Sequence, residues 1–321
     1  MKKNTAIFLI CLALAGSIEQ RASAQSFDKA SKGGAAAQFL KIPVSPRTSA
    51  MGEASAADMK DASAIDINPA CLMNLKKDSF YFSHSAYVAE TSLNYLAYAQ
   101  NMGEDVGAWG LSFKYFGWGS IDNTDDTGGK IKTMSPYDLS VGVTFATYIS
   151  GFNSDEEDRF VFGGTGKVVR SQVVNSASAI TADLAFLTPY MLDRKFRMSL
   201  SASNIMGSIK MDKESFPLPL LIRLGAAAFV TEDFKVTSDV IAPNDSFLYI
   251  ALGSEARIKI AKKTELFLRA GANTKNLFDI SGMKNLTGGI GFRYYEYNFD
   301  YSFSPYGELG NIHRIAISMN Y

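Results

Sequence analysis

The chain of 321 residues carries 32 Lys+Arg against 32 Asp+Glu, so it has no basic excess for a nucleic-acid backbone and no acidic balance to mark a tail. Charged residues make up 20% and aromatics 12%, a low-charge composition rich in Tyr and Phe, against ~25% charged in soluble domains. Two Cys and two His exclude a disulfide scaffold and leave almost no stock for a zinc site.

Residues 1–24 read as a secretory signal, with Lys2 and Lys3 at the start, an apolar run from Ala6 to Ala15 and Ala22-Ser23-Ala24 as the cleavage site. Cys11 follows bulky Ile10 inside the apolar run, which argues against lipoprotein processing and leaves Cys71 as the only thiol of the exported chain. Residues 25–78 do not alternate and hold Gly33-Gly34, Pro43, Pro46, Gly52 and Asn68-Pro69. They are expected to form a separate N-terminal hatch that fills the lumen of a barrel built by the rest of the chain.

Residues 79–321 alternate. Trp109, Leu111, Phe113 and Tyr115 share one face, with Ala108, Gly110, Ser112 and Lys114 on the other. Leu139, Val141, Val143 and Phe145 oppose Ser140, Gly142, Thr144 and Ala146 in the same way. Bulky apolar residues on one face and small or polar ones on the other invert the pattern of a soluble barrel, and suit lipid outside and a polar lumen inside. No stretch after the signal offers the ~20 continuous apolar residues of a spanning helix. Alternating segments fall near 79–88, 91–101, 106–120, 135–151, 158–173, 176–191, 195–208, 217–231, 234–243, 247–260, 264–275, 284–294, 296–305 and 311–321. The count is fourteen, an even number, which predicts an all-β fold: a fourteen-stranded antiparallel transmembrane β-barrel. Short turns such as 231–233 and 261–263 are expected on the periplasmic side, and the longer connections 121–134, 209–216, 276–283 and 306–310 outside the cell. The acidic turn 155–158 is longer than this rule expects.

Arg223, Asp239, Glu255, Arg257, Arg269, Arg293 and Asp300 fall on the small-residue face of the second half of the barrel. A lipid-facing Arg near the midplane costs ~2–4 kcal/mol, so these charges are expected in the lumen, holding the hatch to the wall through Arg47, Asp58 and Asp61. Trp109, Tyr115, Phe116, Trp118, Tyr294, Tyr295 and Tyr297 lie toward strand ends and are expected in the interfacial aromatic girdles.

In order along the chain, Gln38-Phe39-Leu40-Lys41-Ile42, Pro46-Arg47, Met51-Gly52, Asp61-Ala62-Ser63-Ala64 and Asn68-Pro69-Ala70 resemble the N-terminal signature of the PorV/PorQ family, which is similar to the FadL-type fatty acid transporters. Asp300-Tyr301, the run from Pro305 to Asn311 and His313-Arg314-Ile315 resemble the closing strands of the same family. Cys71 stands where that family usually has Gly, and Pro46 where it usually has Ala. The resemblance implies a fourteen-stranded outer-membrane barrel with an N-terminal plug, with Arg47, Met51, Gly52, Asp61, Asn68, Pro69 and Ala70 as the hatch motif.

Signals for chemistry are weak. The run from Gly163 to Lys167 is similar to a phosphate loop, but Val161 and Val168 occupy the positions that need Gly and Ser/Thr. The stretch from Asp122 to Gly129 lacks the EF-hand spacing and reads as a solvated loop. His84 and His313 sit in strands away from any nucleophile turn, Cys71 reads as a packing residue and the Met residues as gap fillers. No catalytic, cofactor or metal residue is assigned, and no nucleic-acid partner is expected. Two functions remain for a protein of the Gram-negative outer membrane in contact with its lipid. One is a non-enzymatic accessory of type IX-like protein secretion, with a machinery or cargo protein as partner, implied by the resemblance. The alternative is FadL-like transport of fatty acids or other hydrophobic molecules through a pocket lined by Phe39, Leu40, Ile42, Leu72 and Met73, leaving past Asn68-Pro69-Ala70.

Overall fold

The computed structural model describes residues 33–124, 129–149, 159–173, 175–211, 214–275 and 284–321. The leader 1–24, residues 25–32, the acidic turn 155–158 and the connection 276–283 lie outside them. Among the described residues, eighteen strands come after a non-strand N-terminal stretch. They are β1 (Ser79–Ala86), β2 (Ser92–Asn101), β3 (Ala108–Gly117), β4 (Ile121–Thr124), β5 (Lys130–Met134), β6 (Tyr137–Ile149), β7 (Phe160–Gln172), β8 (Ser176–Leu187) and β9 (Phe196–Ser203). The second half comprises β10 (Ser208–Met211), β11 (Glu214–Pro217), β12 (Leu221–Phe229), β13 (Phe234–Pro243), β14 (Tyr249–Ala261), β15 (Thr264–Asn273), β16 (Leu286–Tyr294), β17 (Tyr297–Pro305) and β18 (Asn311–Asn320).

Fourteen of these close into one antiparallel barrel in which each strand neighbours the next, and β1 pairs with β18 from Ser79↔Asn320 to Ala86↔His313. Each barrel strand falls on one of the fourteen alternating segments. The two short hairpins β4–β5 and β10–β11 lie within connections that read as loops in the sequence, because their strands are only four or five residues long. Closure leaves no unpaired edge, the condition for backbone to lie in hydrocarbon.

The alternation sorts side chains as expected. Outward Val143, Ile180, Leu252 and Ile290 are 59%, 71%, 56% and 53% exposed, whereas Gly142, Thr144, Thr181, Ala251 and Gly253 face inward and are buried. No helix among the described residues is long and apolar enough to cross a membrane; the apolar exterior belongs to the strands. Gly163 to Lys167 lie within β7 and form no loop.

Residues 33–78 contain one short α-helix, α1 (Pro46–Ala50), and three 3-10 turns at Gln38–Lys41, Ala62–Asp66 and Pro69–Asn74. Ser45 caps α1, Pro46 starts it, and Asn68 caps the last turn by accepting from Ala70 N at 3.0 Å. The segment touches the inward side of the wall all round the barrel and has two unlike faces. Phe39, Val44, Met59, Ile65 and Leu72 form one apolar core with inward Tyr81, Leu93, Tyr95, Val161 and Leu187 of β1, β2, β7 and β8. The other face is charged and meets β12 to β17.

Candidate functional site

The charged face is built around Glu255 of β14. It accepts from Arg47 Nε at 2.9 Å and Arg269 Nε at 2.7 Å, and pairs with Lys235 at 2.6 Å. Lys235 and Arg47 also reach Asp58, and Arg269 reaches Asp300. Burial alone raises the pKa of Asp58, but Lys235, Lys60 and Arg47 outweigh it and hold the carboxyl down at about 2. A second cluster links Asp239 to Arg223 at 3.0 Å and to the backbone N–H groups of Ser55 and Ala56 at 3.1 and 3.2 Å.

Of the seven predicted lumen charges, Arg223, Asp239, Glu255, Arg269 and Asp300 thus belong to clusters that meet residues 33–78. Arg257 and Arg293 bond instead to Asp233 and Glu265 near the end of the barrel that carries its termini. Asp61 differs from expectation. Its side chain turns back to accept from Ser63 N at 2.9 Å, as the cap of its own 3-10 turn, and burial pushes its carboxyl up rather than a wall cation drawing it down. Lys235, and on the opposite wall Lys114 bonded to Asp66 at 2.8 Å, complete the docking and were not among the predicted residues. Their strand register was the readable signal: Lys114 shares its face with Ser112, and Lys235 with Asp239.

Among the described residues, two cavities flank this segment. The larger, about 600 Å³, opens at the end bearing the longer connections, within the ~300–1,000 Å³ range of small-molecule sites. Phe39, Ile42 and Pro43 contribute to its lining together with Phe116, Trp118, Leu221, Pro243 and Ile312, so much of its wall is apolar. Of the five predicted pocket residues, Phe39 and Ile42 line it; Leu40, Leu72 and Met73 do not, and the last two are buried in the core. Phe116 and Trp118 are corrected from the girdle to the cavity lining. Adjacent strand residues face opposite sides, so Tyr115 toward lipid requires Phe116 toward the lumen. Tyr294, Tyr295 and Tyr297 remain outward at 51%, 48% and 47% exposure.

The cavity also has a polar side. Glu53 accepts from Tyr249 Oη at 2.8 Å and Lys275 Nζ at 3.0 Å. Burial opposes the charge on Glu53, yet Lys275 and Arg223 keep the carboxylate below its ordinary range. Lys41 pairs with Asp245 at 2.7 Å, and burial outweighs that partner in pulling the ammonium down. Arg314 is 3% exposed, donates to Ser304 at 3.3 Å and has no partner for its Nε among the described residues. The smaller cavity, about 140 Å³, lies at the other end, lined by Arg47, Asp61, Arg257, Arg293, Asn298 and Asp300 among others. Asn68, Pro69 and Ala70 line neither; they are buried, with the 3-10 turn packed on β6, β7 and β8.

Nothing in this arrangement assembles a nucleophile. His84 faces outward, bonded to Asn94 at 2.8 Å, and His313 faces outward, bonded to the Tyr301 hydroxyl at 2.9 Å. Burial pushes the Cys71 thiol up to about 11, which keeps it protonated and inert. Asp122 pairs with Lys130 at 2.8 Å, and no cluster of three or more metal-ligating side chains occurs among the described residues.

The sequence profile of an uncharacterised protein family (UPF0164) matches residues 13–152. No curated protein matches the chain. Among solved structures, the toluene transporter TbuX of Ralstonia pickettii superposes with a TM-score of 0.56 at 12% identity, over 88% of this chain and 100% of that one. The toluene transporter TodX of Pseudomonas putida gives 0.55 at 11%, over 85% and 95%. A FadL homologue of Pseudomonas aeruginosa gives 0.56 at 9%, over 87% and 99%. At such identities the likeness concerns fold, and the chain shares the closed antiparallel barrel of FadL-like outer-membrane channels.

Proposed function

We propose that the protein is a non-enzymatic channel of the Gram-negative outer membrane that admits hydrophobic small molecules, reaching that membrane through cleavage of the leader at residues 1–24. Residues 33–78 act as its hatch. The observation that carries this reading is the cavity of about 600 Å³ at the long-connection end, whose lining combines Phe39 and Ile42 of the hatch with Phe116, Trp118 and Ile312 of the wall. Solved barrels of similar fold include toluene transporters, which favours small-molecule uptake over the secretion role implied by the PorV/PorQ resemblance. The secretion reading rests on motifs alone and gains no support from the cavity.

The test is extraction of the native protein from outer membranes in mild detergent, with every co-purifying protein and small molecule identified by mass spectrometry. A barrel carrying an apolar molecule and no stoichiometric protein supports the channel. A stoichiometric secretion component or surface-destined cargo without such a molecule overturns it in favour of the accessory.

A further inference from the structure

The two cavities approach one another along one part of the wall. On β17 the inward residues alternate, and Ser304 lines the larger cavity while Asp300 and Asn298 line the smaller. Only Ser302 intervenes, fully buried, so ~13 Å of strand joins residues of one cavity to those of the other. The neighbouring strands repeat this. Ala316 of β18 lies alone between Arg314 and Ser318 and Gly271 of β15 alone between Asn273 and Arg269, while Gly289 and Gly291 of β16 lie between Thr287 and Arg293. On β14, Ala251 and Gly253 lie between Tyr249 and Glu255. The wall between the cavities therefore carries only small inward side chains.

The space against those residues is filled by the turn from Ser49 to Gly52. A Cβ placed on Gly253, Gly271 or Gly289 would come closer than 3.0 Å to Met51, to Met51 and Gly52, or to Ala50 respectively. Met51 is fully buried in this collar. Ser49 belongs to the lining of the larger cavity and Arg47 to that of the smaller, so α1 touches both from opposite sides. The Ser49 and Ser302 hydroxyls are buried and have no hydrogen-bond partner among the described residues. The turn also ends in strain: Glu53 holds φ at +78°, a left-handed conformation an L-residue adopts at a cost, and Tyr249, Lys275 and Arg223 bond it there. On the opposite wall Gly163 of β7 makes an equally close approach to Pro69 and Ala70, but neither cavity reaches that contact.

We propose that the passage through the barrel runs along the inward faces of β14 to β18, with the Ser49–Gly52 turn as a gate one to two residue layers thick. The rest of residues 33–78 stays docked when the gate moves, and the Asn68-Pro69-Ala70 region serves as an anchor, not an exit. The proposal rests on the channel reading for the nature of the cargo, but the position of the seal is testable without cargo.

The experiment compares leakage of a small water-soluble sugar from liposomes holding the full-length exported chain as wild type, Gly271→Ala or Gly163→Ala. Each substitution forces a Cβ into backbone of residues 33–78, one at the gate and one at the anchor. Gly271→Ala is expected to raise the flux about tenfold or more, because on β15 only Gly271 separates the cavities and its Cβ displaces the turn there, while Gly163→Ala stays at the wild-type rate. An equal or larger leak through Gly163→Ala, or no leak through Gly271→Ala, overturns the proposal. Should Gly271→Ala fail to fold, Ser302→Cys and Ala185→Cys in a Cys71→Ala background take its place. Modification of Ser302→Cys by a small water-soluble methanethiosulfonate with Ala185→Cys protected supports the route, and the reverse order overturns it. A stoichiometric secretion or cargo protein in place of an apolar molecule on the native protein, together with a leaking Gly271→Ala, removes the channel reading and leaves the gate standing.

Discussion

Replacing Glu255 by Gln removes one charge from the centre of the buried network while keeping its shape. In the native chain, three cations, Arg47, Lys235 and Arg269, meet three carboxylates, Asp58, Glu255 and Asp300, and all six side chains are at most 10% exposed. The variant leaves three buried cations against two carboxylates. Stripping one partner from a buried ion pair costs ~3–5 kcal/mol, and the amide oxygen of Gln still accepts a hydrogen bond, so the lower end applies. At ~1.4 kcal/mol per factor of ten, the population in which residues 33–78 leave the wall rises by about two powers of ten. The closed barrel does not depend on this network and should survive. Limited proteolysis of the purified protein in detergent reads the released population, because cleavage follows the opening equilibrium when reclosing is fast. Glu255→Gln is expected to be cut within residues 33–78 about a hundredfold faster than wild type, while the barrel keeps its folded mobility on an unheated gel. Adding Lys235→Met restores the balance at two cations and two carboxylates and should recover much of the loss. An unchanged cleavage rate, or a double variant whose effect is merely the sum of its singles, would show that the network does not hold the segment to the wall.

Other outcomes follow from the same geometry. The folded-state pKa of Asp58 is depressed from 3.8 to about 2, so its contribution is fully present above pH 3.8 and is lost as pH falls through about 2. The magnitude is on the order of 2 kcal/mol, and proteolysis with an acid-active protease should show residues 33–78 loosening in that window and not above it. The chain has two Trp, and only Trp118 lines the larger cavity. An apolar ligand should therefore alter the fluorescence of wild type and Trp109→Phe, and leave Trp118→Phe unchanged. Val143 sits outward at the middle of β6, where Val143→Arg should cost ~2–4 kcal/mol in folding titrations into lipid, against little for Val143→Leu.

Most strands were legible because they alternate bulky against small residues, which lipid outside and a crowded lumen satisfy, as with Leu139 to Phe145 against Ser140 to Ala146; β1 and β2 depart from this, with Tyr81, Leu93 and Tyr95 inward. The caps at Ser45 and Asn68 were not read from the sequence, although Ser45 before Pro46 and Asn68 before Pro69 are turn-starting pairs. Partner choice was not legible. Lys235 stands on the same face as Asp239, yet nothing in the aperiodic stretch before β1 says that Asp58 will meet it while Asp61 folds back on Ser63. The cavity was legible only in part for the same reason: Phe39 and Ile42 reach it and Leu72 does not, which depends on how far residues 33–78 stop short of the long-connection end. The role of Gly253, Gly271 and Gly289 was invisible because a glycine in a strand reads as weak pairing until the neighbour that needs its missing Cβ is known.

If the barrel is a channel, apolar small molecules enter the cavity at Phe39, Phe116 and Trp118 and cross the outer membrane through it. The decisive measurement is uptake of a radiolabelled small apolar compound by cells of a Gram-negative host with no comparable channel, expressing this chain or an empty vector. Faster uptake with the chain, abolished by replacing Phe39 and Phe116 with Asp, is the predicted result. Uptake equal to the empty vector across a panel of such compounds, with the barrel verified as folded in the outer membrane, would contradict it.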